Sequence, residues 1–149
     1  MFTRDVSDGL RDELEVLALK NKTRAIGVAL HDLETGFRFS LCGDRWFHAA
    51  STIKVAVLLA VFRAADQGRL RLDESLHVRN RFFSAADGSP FRVSQDRDAA
   101  PELYAAIGRT AKISALAHAM IVASSNLAAN LLLDFVGVEY ARRVLEEAE

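Results

Sequence analysis

The sequence predicts an α+β fold, an N-terminal helix and β-hairpin followed by a helical subdomain. Three observations carry this: a helical apolar period at the start, two alternating stretches about a tight turn, and a series of apolar helical segments filling the rest. Val6, Leu10, Leu14 and Leu17 recur at spacings of three and four with acidic residues between them, which reads as an amphipathic helix of about four turns. From Arg24 to His31 the pattern alternates, with Ile26, Val28 and Leu30 on one face. After Asp32-Leu33-Glu34-Thr35-Gly36, a turn, Phe37, Phe39 and Leu41 alternate again, so the pair is expected as a hairpin packed on the first helix. Trp46 is expected in the core beside the hairpin, and Cys42 as a small packing residue at a strand end.

The stretch from Ser51 to about Gln67 is apolar nearly all round and is followed by Gly68, the residue type that ends helices in left-handed backbone. Such a helix belongs in the middle of a domain. Arg69 to Ala100 is less regular and carries an Asp87-Gly88-Ser89-Pro90 turn; it reads equally as a cleft wall or a surface excursion. Pro101 suits the first position of a helix running to Ile107. Three further helices are predicted: Lys112 to Ala123 with Ile113, Leu116 and Met120 on one face, Asn126 to Val136 ended by Gly137, and Val138 to Ala148. Glu139, Glu146, Glu147 and Glu149 form the solvated face of the last one. A lone hairpin is a poor sheet, so the chain reads as the first half of a larger design whose C-terminal strands are missing.

Bulk properties exclude several classes. The net charge is −1 and the basic residues are scattered, which gives no footprint for nucleic acid. No apolar run approaches the roughly 18 residues of a membrane span. Cys42 is the only cysteine, so an intrachain disulfide is impossible. His31, His48, His77 and His118 show no metal-ligand spacing, the glycines are dispersed, and neither metal nor cofactor is expected. The segment from Met1 to Leu10 lacks a secretory apolar core, so the chain as written is expected in the cytoplasm. An unpaired hairpin edge makes self-association a further expectation.

Two short motifs carry chemistry. Ser51-Thr52-Ile53-Lys54 is S-x-x-K, with the serine one helical turn before the lysine on the same face. A serine hydroxyl is a weak nucleophile that needs a base, and a buried lysine loses its proton more readily. S-x-x-K arises about once by chance in such a chain; the apolar setting Ile53-Lys54-Val55-Ala56-Val57-Leu58 is what sets this one apart, because a solvated lysine does not belong there. Its buried partner is expected to be Asn126. Ser124-Ser125-Asn126 is S-x-N at a second helix junction. Ser124 can relay a proton and the Asn126 amide can orient Lys54 and a carbonyl, while Ser124 or Ser125 can equally cap the helix that follows. His48 reads as a rim or packing residue. Tyr104 reads either as a cleft wall or as helix packing.

Taken with their flanks, the motifs resemble the class A serine β-lactamases and the penicillin-binding superfamily. The likeness covers Asp32-x-x-Thr35-Gly36, Phe47 ahead of Ala50-Ser51, the apolar helix after Lys54, Met120-Ile121, and Asn126-Leu127-Ala128-Ala129-Asn130-Leu131-Leu132-Leu133. It implies a β-lactamase/transpeptidase-like fold, with residues 1–149 an incomplete catalytic domain divided at 50/51 into an α/β part and a helical subdomain. It implies Ser51 as the acylated nucleophile, Lys54 as its activating amine, Ser124 as proton relay, Asn126 at the substrate, and Asn130 as a structural brace of the omega loop; Tyr104, if it lines the cleft, would be a further substrate contact. Relatives of this kind are often exported. The expected reaction is acylation of Ser51 by a β-lactam, or a related amide or ester, followed by hydrolysis. Ser125 stands where the family usually has the aspartate of S-D-N, K-T-G is not found, and no omega-loop glutamate is identifiable. Two other readings stay open: an esterase or D,D-peptidase-like serine hydrolase, and a non-catalytic half-domain that needs a partner.

Overall fold

A computed structural model describes residues 3–148, so Glu149 lies outside the described residues. The chain divides into two compact units, Met1–His48 and Ala49–Glu149.

In the first unit α1 spans Thr3–Lys20, and the hairpin strands β1 and β2 span Val28–His31 and Arg38–Leu41. The alternation sets the register: Val28 lies opposite Leu41 and Leu30 opposite Phe39, antiparallel. Asp32 closes the turn by accepting the Glu34 N–H at 3.0 Å and the Thr35 hydroxyl. Gly36 follows at φ +71°, backbone that favours glycine. Phe39 and Leu41 are buried. The helix meets the hairpin through Arg11, which donates to the Ser40 carbonyl at 3.2 Å and lies over the Phe39 ring. β1 is shorter than the alternation from Arg24 suggests, beginning only at Val28. Two expectations fail here. Trp46 is 97 % exposed, and Cys42 is exposed at φ +49°. The second strand ends at Leu41 and the chain turns there, with the Arg45 N–H on the Cys42 carbonyl, so both residues lie beyond the strand.

The second unit begins with a 3₁₀ turn, Ala50–Thr52, leading into α2 at Ile53–Asp66. α3 (Ile113–Val122), α4 (Asn126–Val136) and α5 (Val138–Glu146) complete its helices. The expected α3 stripe is the core: Ile113, Leu116 and Met120 are each 0 % exposed, and they pack with Val57 and Val61 of α2 and with Leu127 and Leu132 of α4. Burying a side chain of this size contributes about 1.5–3 kcal/mol. Gly137 at φ +87° ends α4 and starts α5, a backbone that strains any residue with a Cβ. α2 buries only one face, through Lys54, Val57, Ala60, Val61 and Ala64, whereas Val55 and Phe62 are exposed; its all-round apolarity overstated its burial among the described residues.

The stretch read as irregular holds short strands. β3 (Ser75–His77) pairs antiparallel with β6 (Thr110–Lys112), and β4 (Phe82–Phe83) with β5 (Pro90–Phe91). Asn80 closes this excursion, its amide oxygen accepting the Val93 N–H and its amide nitrogen donating to the Val93 carbonyl, both at 2.8 Å. Two 3₁₀ segments, Gln95–Arg97 and Pro101–Ala106, then lead to β6. Among the described residues no helix is long and apolar enough to cross a membrane.

Candidate active site

The 3₁₀ turn decides the local geometry of S-x-x-K. With three residues per turn, side chains at i and i+3 eclipse, so Ser51 on that turn stands directly over Lys54 in the first turn of α2. An uninterrupted α-helix, which the sequence suggested, would offset them. Lys54 is 5 % exposed while Ser51 is exposed, an ammonium inside with a hydroxyl at the surface above it.

The facing wall is the turn between α3 and α4. Ser124 adopts φ +57°, left-handed backbone uncommon outside glycine, and Ala50, next to Ser51, sits at φ +46°. The turn at Ser124 aims both its carbonyl and its hydroxyl at Lys54. The Lys54 Nζ donates to the Ser124 carbonyl at 2.6 Å, to Ser124 Oγ at 2.8 Å and to Ser51 Oγ at 3.3 Å. These use all three ammonium protons. The two serine hydroxyls lie 3.0 Å apart. Ser51, Lys54 and Ser124 therefore form a closed triangle across 73 residues of chain.

Burial holds the Lys54 amine below its ordinary value of 10.5, and the negative charge of Asp98 pushes it part of the way back. Asp98 is the site residue that sequence reasoning missed. It is 8 % exposed and accepts the Leu127 N–H at 2.7 Å, the Ala100 N–H at 3.0 Å, the Tyr104 hydroxyl at 3.2 Å and the Ser125 hydroxyl at 3.3 Å. Burial raises its carboxyl, but these donors outweigh it and hold the group below the ordinary carboxylate value. The same neighbourhood drives Tyr104 up to about 12, first by burial and then by the Asp98 charge.

The other expected residues sort by what they touch. Ser125, not Ser124, is the cap of α4: its Oγ accepts the Ala128 N–H at 3.1 Å, which leaves Ser124 free to face Lys54. Asn126 is not the partner of Lys54; its amide donates to the Arg97 carbonyl at 3.2 Å, and the Ser124 carbonyl takes the lysine instead. Tyr104 packs on the core and commits its hydroxyl to Asp98, which favours packing over a free cleft wall. Asn130 donates to the Asn126 carbonyl at 2.9 Å, one turn back along its own helix.

An exposed serine over a buried lysine, with a second serine bridging them, places a hydroxyl within reach of an amine that can take its proton. A family model described as the β-lactamase enzyme family matches residues 9–149, and the chain belongs to that family. A β-lactamase of Rhodobacter capsulatus is 33 % identical over 112 residues, covering 75 % of this chain and 34 % of that protein. Among solved structures, a β-lactamase from Xanthomonas campestris pv. campestris superposes with a TM-score of 0.77 at 27 % identity, over 95 % of this chain and 48 % of that one. PBP-A, in an acyl-enzyme complex with penicillin G, gives 0.68 at 26 % identity, over 93 % of this chain and 49 % of that one. The fold is thus the β-lactamase/penicillin-binding α+β fold, and the chain spans half or less of the length of these relatives.

Proposed function

We propose that Ser51 is the nucleophile of a serine acyl-transfer site that opens a β-lactam. The observation that carries this reading is the triangle of Ser51 Oγ, Lys54 Nζ and Ser124 Oγ, with sides of 3.3, 2.8 and 3.0 Å. When Lys54 is neutral its single lone pair accepts from one serine hydroxyl while its two N–H bonds still donate to the other partners. The Ser51 proton leaves directly to Nζ, or by the shorter two-step path through Ser124 Oγ. Ser51 Oγ then bonds to the lactam carbonyl carbon, the C–N bond breaks, and Ser124 delivers the proton to the departing nitrogen. Proton transfer of this kind contributes about 10²–10⁴-fold in rate. Neutral Lys54 is the active form, so acylation rises with pH through the lysine's lowered midpoint.

A second reading keeps the site and changes the acyl group. Ser125 in place of the usual aspartate favours an esterase or D,D-peptidase type. Both readings are tested by offering the chain penicillin G and a p-nitrophenyl ester in parallel, beside Ser51→Ala. A Ser51-dependent penicillin adduct that forms and is then hydrolysed supports the first. A Ser51-dependent penicillin adduct that persists, or turnover of the ester alone, supports the second. A folded chain that reacts with neither, or reacts equally after Ser51→Ala, refutes both in favour of a non-catalytic half-domain.

A further inference from the structure

We propose that Asp98 is a positioning residue for Lys54: its carboxylate locks the turn from Ser124 to Leu127 so that the carbonyl and hydroxyl of Ser124 stay on the lysine amine. The inference rests on the acyl-transfer reading of Ser51, Lys54 and Ser124, and it assigns the device that holds that site together.

The turn needs such a device. Ser124 sits at φ +57°, a conformation a non-glycine residue keeps only when its surroundings over-determine it. Two anchors do so. On one side the Ser125 N–H donates to the Ala119 carbonyl at 3.1 Å, tying the turn to the end of α3. On the other, Asp98 Oδ2 takes the Leu127 N–H at 2.7 Å and the Ser125 hydroxyl at 3.3 Å. Leu127 offers one of the N–H groups that the first turn of a helix cannot pair internally, and a carboxylate there is favoured by the helix dipole as well. Ser125 Oγ accepts the Ala128 N–H meanwhile, so carboxylate and hydroxyl share the start of α4 between them. Asp98 is itself held from its own segment by the Ala100 N–H and the Tyr104 hydroxyl. The chain thereby clamps the loop before Pro101 onto a turn 27 residues later.

Position and charge act together. Around Asp98 the polar groups are the Tyr104 hydroxyl, the Ser125 hydroxyl and the two backbone N–H groups. Around Lys54 they are the two serines, and the charge that reaches it is that of Asp98. Neutralising Asp98 therefore has two separable consequences: a looser Ser124, and a lysine that gives up its proton more easily. A carboxylate serving only as a cap shifts the Lys54 midpoint through its charge but leaves Ser124, and with it the acylation plateau, unchanged.

The test compares Asp98→Asn with the parent, both shown folded by circular dichroism. The chain has four lysines, Lys20, Lys22, Lys54 and Lys112, so ¹³C-lysine labelling resolves the titration of Lys54 by NMR. The expected result is a lower Lys54 midpoint in the variant. With penicillin G, the acylation plateau should fall by about ten- to a hundredfold, and the acid limb of its pH profile should move to lower pH. An unchanged Lys54 midpoint overturns the proposal, whatever happens to the plateau. If the parent itself takes no penicillin, the acyl-transfer reading fails, while an unchanged Lys54 midpoint or an insensitive Leu127 amide still overturns this one. Should Asp98→Asn not fold, the parent suffices: the Leu127 amide proton should shift with a midpoint below the ordinary carboxylate value as Asp98 takes up a proton. An amide that ignores that titration overturns the clamp.

Discussion

Replacing Lys54 by methionine separates what the lysine does for chemistry from what it does for the fold. Methionine keeps the unbranched stem and fills the same slot beside α4, but it has no proton to give or take. Loss of the base should cost about 10²–10⁴-fold in acylation of Ser51, or about 3–5 kcal/mol of barrier. Stability should respond differently. Lys54 makes three hydrogen bonds, two of them to Ser124 at 2.6 and 2.8 Å. Bonds to a charged group contribute about 1.5–3 kcal/mol each, but burying the ammonium costs several kcal/mol in return. The variant removes both terms, leaves the Ser124 carbonyl short of a partner at about 1–3 kcal/mol, and regains apolar burial of similar size. The balance falls within about 2 kcal/mol of zero, a change in Tm of no more than about 8 °C for a chain of this size. Intact-mass time courses with penicillin G give the rate, and thermal melts by circular dichroism give the stability. A folded Lys54→Met chain acylated at the parental rate refutes the assignment of Lys54 as base. A variant that cannot fold at all refutes the stability reasoning, and makes the lysine a structural staple.

Three further outcomes are expected. Tyr104 should ionise at about 12, against 10.0 for an ordinary tyrosine, in an ultraviolet absorbance titration where Tyr140 is the only other tyrosine. Because the folded chain holds that proton longer than the unfolded one, stability should fall from about pH 10 up to about 12, and Tyr104→Phe should abolish that part of the decline. Ser125→Ala removes the α4 cap and one donor to Asp98, and should cost about 1–2 kcal/mol in denaturant unfolding; an unchanged midpoint contradicts the capping role. Leu132→Ala opens a hole at a residue with 0 % exposure and should cost about 2–5 kcal/mol in the same assay, whereas a loss under 1 kcal/mol would mean the core is looser than described.

What the sequence disclosed and what it hid follow the range of the interactions. α4 was readable at both ends because a capping serine precedes it and Gly137 ends it, and both signals are local. The α3 stripe was readable because Ile113, Leu116 and Met120 follow the helical period. β3 and β6 were not, since three residues each are too few to show alternation and their pairing spans more than thirty positions. Trp46 misled because aromatic character says nothing about where the chain leaves the sheet. Within the site, Ser51 and Lys54 were marked by spacing and apolar setting, and Ser124 by the resemblance of S-x-N to a family motif. The principal acceptor for Lys54 is a backbone carbonyl, which every residue carries and no side-chain pattern reveals. Asp98 lay hidden for a related reason: an aspartate in an irregular, charged stretch resembles any solvated residue until the fold brings it to Leu127.

The central claim is that Ser51, and not its neighbour 3.0 Å away, is the group that takes the acyl chain. Incubating the chain with penicillin G, digesting it, and locating the added mass by tandem mass spectrometry tests this most directly, with Ser51→Ala and Ser124→Ala alongside. The predicted result is one penicilloyl group on Ser51, absent in Ser51→Ala and formed more slowly in Ser124→Ala. An adduct on Ser124, or a stoichiometric adduct that survives Ser51→Ala, contradicts it.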